Sequence, residues 1–219
     1  MSNQDHKKDL LILVADKDME MAIKGVLERT ESLGIRKITY DIFSHPRHDP
    51  GCYLNSYSFL RPFSGSYSYS IVIFDREGCG KESKLCNELE QEVENLLAIN
   101  GWADHRGKAI VLDPELETWV WSGSPHVRDI IGWRNEPNQP RLREWLRNQG
   151  FLAENDTRIQ RPKEALEAVR RYTKKPKSPA LFYQLAQKVS LKNCSDPSFI
   201  KLKSILHVWF AEAVELSST

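Results

Sequence analysis

The sequence predicts a three-layer α/β domain built on a parallel sheet flanked by helices, followed by an all-helical extension. Three observations lead there. Short runs rich in Leu, Ile and Val, such as "DLLILVAD" and "SYSYSIVIFD", have the texture of strands buried on both faces. Between them lie segments with apolar residues at helical spacing, so strand and helix alternate as in βαβ units. Past about residue 122 the alternation stops, and helix-like segments follow, separated by Pro, Asn and Gly. The expected division is therefore residues 1–122 for the α/β domain and 123–219 for the helices packed on it.

The elements follow in order. "DLLILVAD" is the first strand. "KDMEMAIKGVLERTESLG" reads as one helix, with Met19, Ile23, Val26, Leu27 and Leu33 near helical spacing and Gly34 as its C-cap. "IRKITYDIFSH" is a second strand by its β-branched and aromatic content. "PGCYLNSYSFLRPFSG" fits a short helix or an ordered loop, and "SYSYSIVIFD" is the third strand. "KESKLCNELEQEVENLLAING" is amphipathic, with Leu85, Leu89, Val93, Leu96 and Leu97 on one face. "GKAIVLD" is the fourth strand, and "PELETWVWSG" starts a helix with Pro114 in its first turn. Five further helices are expected at "HVRDIIGW", "QPRLREWLRNQG", "RPKEALEAVRRYT", "SPALFYQLAQKVS" and "DPSFIKLKSILHVWFAEAVE".

Composition narrows the function classes. A net charge of +1 over 219 residues leaves no global basicity, so a polyanion would have to bind a local patch. No apolar run approaches the length of a membrane span, and the first one ends in charge. A cytoplasmic protein with no membrane partner is the expectation. Cys52, Cys79, Cys86 and Cys194 lack paired CxxC spacing and read as thiols. No signature pairs Cys79 or Cys86 with a base, so both read as inert. Trp119, Trp121, Trp133, Trp145 and Trp209 lie at helical spacings and read as core.

Ligands of open α/β sheets bind beyond the carboxyl ends of the strands. Asp16 and Asp18 follow the first strand. The run from His45 to Cys52 follows the second, Asp75, Arg76 and Glu77 the third, and Asp113, Glu115 and Glu117 the fourth. Parallel strands would gather all of these on one edge. Crowded carboxylates repel unless a cation neutralises them, and oxygen-rich sites suit magnesium or manganese. Asp75 and Glu77, two apart at a strand end, are placed to share one ion; the alternative is that they are helix N-caps or solvated loop acids.

The stretch "HPRHDPGC" admits three readings. It could bind zinc through His45, His48, Asp49 and Cys52, but the ligand spacing is loose and no second cluster exists, which disfavours zinc. It could be a plain structural loop. The preferred reading is a loop stiffened by Pro46 and Pro50 that turns His and Arg toward the carboxylates or a phosphate. Residues 158–177 are densely basic. They are either a solvated helix face or a patch for nucleic-acid phosphates formed by Arg170, Arg171, Lys174 and Lys175, with Arg47 as a further contact.

A strand ending in an acid, then a helix, then a later strand ending in "IVIFDREGCG" resembles the Toprim fold of topoisomerases, primases and related nucleases. The element "DPELETWVW", with Pro114, Glu117 and Trp119, together with "HPRHDPGC", is similar to Toprim-like proteins of bacterial defence islands and to a component of methylation-associated phage-defence systems. The resemblance covers roughly residues 9–122. It implies a magnesium-dependent site acting on phosphodiesters. The family's first-strand glutamate falls at Ala15 or Asp16, and its Asp-x-Asp pair is Asp75-x-Glu77 here. The resulting expectation is an antiviral protein with Asp16, Asp75 and Glu77 as metal ligands and Glu117, His48 and His45 as catalytic groups. The alternative is a non-catalytic subunit that binds nucleic acid or other defence proteins.

Overall fold

The computed structural model describes residues 7–103, 105–121, 124–134, 136–137, 139–191 and 194–212. Strands β1 (Lys8–Val14), β2 (Tyr40–Ser44), β3 (Tyr67–Asp75) and β4 (Gly107–Leu112) form one parallel sheet in the order β2-β1-β3-β4. Leu10 to Val14 and Ile71 to Phe74 have no exposed surface. The apolar runs are continuous because both faces of these central strands are covered.

The chain steps outward from β1 to β2, then crosses back past β1 to β3 and continues to β4. Right-handed crossovers place α1 (Lys17–Leu27) on one face. They place α3 (His48–Leu60) and α4 (Cys86–Ile99), which pack on each other, on the opposite face. The direction of winding reverses between β1 and β3. That is where the crevice of an open sheet lies, beyond the carboxyl ends of the two strands. β3 runs past β1 in this register: Val14 pairs with Ile73, and Asp75 pairs with Leu112 of β4.

Several local expectations are corrected. The first predicted helix is two, α1 and α2 (Thr30–Leu33), with Gly34 closing the second in a left-handed conformation at φ 69°. "HPRHDPGC" is not a free-standing loop. Its second half is the first turns of α3, because Pro50 lies where a helix start tolerates proline. Leu85 precedes α4 and is 63% exposed, so it leaves the apolar face assigned to it. Pro114 precedes the short α5 (Glu117–Val120) rather than starting it.

The extension consists of α6 (His126–Ile130), α7 (Leu142–Asn148), α8 (Pro162–Thr173), α9 (Pro179–Lys188) and α10 (Pro197–Phe210). The segment expected to carry the last helix through residue 215 lies outside the described residues from 213 onward. α9 packs along α1, α8 against α5, and α10 against β4. Trp119 donates from Nε1 to Ser198 Oγ at 2.8 Å, and Trp209 stacks on Tyr69 of β3. Trp119 and Trp209 thus join the extension to the sheet domain, while Trp133 and Trp145 pack on each other and on Tyr172 within the extension. No helix among the described residues is long and apolar enough to cross a membrane.

Candidate functional site

The carboxylates at the sheet edge are held by the elements that bring them there. Asp16 ends the turn after β1 and caps α1, its Oδ1 accepting from Met19 N at 2.9 Å. Asp49, in the first turn of α3, accepts from the backbone N–H of Asp75 through Oδ1 at 2.8 Å, fastening α3 to the end of β3. Each therefore spends one oxygen on the backbone and keeps Oδ2 for another partner. Asp75 stands between them. Its Oδ1 is buried and has no hydrogen-bond partner.

Burial is the largest cause that raises the Asp75 carboxyl well above its ordinary range, and Asp49, Glu117, Asp16 and Glu115 raise it further. Glu117 is buried and is pushed up to about 7 by burial and then by Glu115. Burial and neighbouring Asp16 also raise Asp18 and Asp49. Four carboxyl groups of the edge are thus held toward their protonated forms by one another and by lost water.

One cation from the extension answers them. Glu115, 3% exposed, accepts from the backbone N–H of Lys163 at 2.9 Å, while Lys163 Nζ lies 3.7 Å from its other oxygen. Lys163 is the second residue of α8, so Glu115 serves as that helix's N-terminal anion. Burial alone would lower the Lys163 ammonium. Glu117, Glu115, Asp75 and Asp16 outweigh it and raise the group instead. Farther along the edge, Arg76 pairs with Asp113 at 2.8 Å, and Arg158 donates to the Asp113 carbonyl at 2.9 Å.

The histidines separate. His48 adopts φ 50° at the start of α3, and its Nδ1 lies 3.1 Å from the carbonyl of Ala15. A carbonyl only accepts, so Nδ1 carries the proton and Nε2 is left free for chemistry. His45, expected to be catalytic, instead faces inward. It is 5% exposed, its Nδ1 accepts from Arg47 N at 3.1 Å, and its ring packs on Phe59. It holds the turn rather than meeting a substrate.

A Cβ on Gly51 would come within 1.9 Å of His45 Nδ1 and 2.8 Å of Arg47 Cβ. Gly51→Ala should therefore cost about 1–3 kcal/mol in urea unfolding by overpacking this turn. An unchanged midpoint would show that His45 has room to move. Arg47 reaches Asn55 along α3 at 2.9 Å. Cys52 is fully buried, and burial followed by Asp49 pushes its thiol up, away from the thiolate that zinc requires. Burial raises Cys79 and Cys86 likewise.

The other predicted residues are dispersed. Glu77 is exposed in the turn after β3, its N–H donating to the Pro114 carbonyl, and its charge falls on Glu115. Arg171 is exposed and pairs with Glu167 at 3.2 Å. Lys174 ends α8 in a left-handed conformation, and the stem of Lys175 lies over Gly132. Arg170 turns the other way, toward Asp18. Three residues of the site read differently from the sequence alone: Asp49 only as a zinc candidate, Glu115 only as one of the edge acids, and Lys163 only as part of the basic segment. Asp49 carried a signal, being an acid one turn into a helix that starts at the sheet edge. Lys163 carried none, since its role depends on where α8 docks.

No family model, curated protein or solved structure matches this chain.

Proposed function

We propose that the sheet edge is a magnesium- or manganese-dependent site for phosphate-ester chemistry on a nucleic acid or nucleotide, in a cytoplasmic protein of Toprim-like kind that acts in antiviral defence. The observation that supports it most is Asp75: a carboxylate at the winding reversal whose Oδ1 is buried and orphaned, with like charges around it. The donors are all hard oxygens, which fits these ions and not zinc. Asp75 would contact the cation through its orphaned oxygen, with Asp16 and Asp49 lending negative charge from farther off. Bound there, it would neutralise the carboxylates and polarise a phosphate oxygen.

The chain's own groups divide the remaining work. Glu117, held near neutrality, can take a proton from water or return one to a leaving oxygen. His48, exposed at the start of α3, keeps Nε2 free and can carry the second proton. Lys163 supplies positive charge where charge develops on the phosphate. The link to defence rests on the sequence resemblance.

A second reading, a nucleic-acid- or partner-binding subunit without catalysis, has one observation in its favour. Among the described residues, no three His, Cys, Asp or Glu side chains are gathered closely enough to hold an ion. Calorimetric titration with manganese separates the two, combined with hydrolysis of short single-stranded DNA and RNA. The enzyme reading expects manganese to bind, and hydrolysis to fall at least a hundredfold in Asp75→Asn with the fold intact. Binding of DNA or RNA with neither manganese uptake nor hydrolysis would establish the subunit instead.

A further inference from the structure

A cleft of about 700 Å³ opens in the helical extension, lined by none of the carboxylates of the sheet edge. Its floor is aliphatic: Val120 of α5, Val127 of α6, Leu142 and Leu146 of α7, and Ile159 ahead of α8. Leu142 and Leu146 stand four apart, so they share one face of α7. Trp145 turns instead to Trp133 and Tyr172. The helix thus gives its aromatic side to the core of the extension and its leucine side to the cleft. Protein interiors are close-packed, so a room of this size between buried aliphatic side chains asks for an occupant. It falls within the range of small-molecule sites, roughly 300–1,000 Å³.

The rim carries mostly one sign of charge. Arg128 is partly buried there, Arg141 and Arg143 are exposed, and Glu136 is the one carboxylate that lines the cleft with them. Among the described residues the arginines in ion pairs are Arg36, Arg76, Arg158 and Arg171, so no carboxylate neutralises the three at the rim. Arg143 reaches only the carbonyl of Thr157, at 3.4 Å. A guanidinium holds an oxyanion through two N–H groups at once, and the floor would cover an apolar body.

A polyanion fits less well than a single head. A neighbouring cleft at the end of β4 shares Trp121, Arg143 and Ile159 with this one. There Glu90, Asp113 and Asp196 stand among the cations, and Lys201 is already paired with Glu90 at 2.9 Å. A row of phosphates would lose its favourable field on passing from one cleft to the next. Among the described residues Trp121 is also the only aromatic lining either cleft, and its Nε1 donates to the carbonyl of Pro162, so successive bases would find no row of platforms.

We propose that this cleft binds a small amphipathic acid: a molecule with one aromatic or alkyl body laid on the aliphatic floor and one anionic head held by Arg128, Arg141 and Arg143. The site is separate from the sheet edge and does not rest on the metal-dependent reading.

The test is fluorescence titration of the full chain with anilinonaphthalene sulfonate, an aromatic body with one anionic head, and with phenylnaphthylamine, its neutral analogue. The sulfonate should bind at one equivalent per chain and more tightly than the neutral dye. Arg141→Ala and Arg143→Ala should each weaken the sulfonate about tenfold and leave the neutral dye unchanged. Both side chains are exposed, so the variants should fold. Arg147→Ala, at an exposed arginine in the last turn of α7 that does not line the cleft, should bind as the wild type does. Dodecanoate should displace the sulfonate, and acetate, a head without a body, should not. The proposal is overturned if the sulfonate does not bind, if both arginine variants bind it as the wild type does, or if the neutral dye binds as tightly. Displacement by short single-stranded DNA as readily as by dodecanoate also overturns it, in favour of a strand-binding groove.

Discussion

Asp75→Asn should raise the melting temperature of the metal-free protein at pH 8 and abolish the stabilisation that magnesium gives the wild type. The carboxylate sits among four others in a site poor in water, so its charge is a cost until a cation arrives. The same crowding fixes the pH dependence. A carboxyl whose folded value is raised binds a proton in the folded state at a pH where the unfolded chain has already lost it. Stability then falls as pH rises from the unfolded value of about 4.3 through the folded one and levels off above it. For Glu117, pushed up to about 7 and 8% exposed, that loss amounts to about 3 kcal/mol, complete above pH 7. Asp75 adds to the loss in the same direction.

Magnesium competes with the protons for these oxygens, so it should flatten the decline by stabilising the protein most at high pH. Melting curves from pH 4 to 9, with chelator and with magnesium, measure both effects in the wild type and in Asp75→Asn. A flat profile without metal, unchanged by the substitution, would mean that the carboxylates are neither crowded nor in need of a cation.

Gly25→Leu should cost about 3 kcal/mol or more and loosen the extension from the sheet domain. Gly25 lies in α1 where α9 crosses it. A Cβ there would stand 2.7 Å from the Cβ of Ala186 and 3.0 Å from the carbonyl of Tyr183. The close approach also brings Arg29 to the carbonyls of Ala186 and Val189 at 2.7 and 2.6 Å, where it satisfies the C-terminal end of α9. Gln187 in turn donates to the Gly25 carbonyl at 3.1 Å. A larger side chain separates the helices and loses these bonds together. Urea unfolding gives the stability change, and limited proteolysis near residues 174–178 reports the loosening. In the milder variant Gly25→Ala, a second change, Ala186→Gly, should recover part of the loss. If it recovers nothing, the helices are not held at this contact.

The sequence alone determined the layers and most of the elements. Runs such as "LLILV" and "SIVIF" are continuous rather than alternating only when a strand is covered on both faces, which a parallel sheet between helices provides. It also determined which edge carries the acids. Parallel strands share one carboxyl end, so Asp16, Asp75 and Glu117 had to converge there. It could not determine the strand order, and hence that the crevice opens between β1 and β3 rather than elsewhere along the edge. That order is set by which helices bury which faces, a long-range choice that local periodicity does not record. Only the tertiary structure showed that Asp75 meets Asp49 rather than Glu77, because α3 begins against the end of β3 and the turn after Asp75 points its next acid outward. Only it turned His45 into the core and left His48 at the edge, a difference made by one tight approach at Gly51. And only the docking of α8 on α5, and of α9 on α1, brought Lys163, Arg170 and Lys177 to the carboxylates of a domain that the chain had left long before. Charges so far apart in sequence find each other through burial of the helices that carry them, not through any spacing a reader of the chain could see.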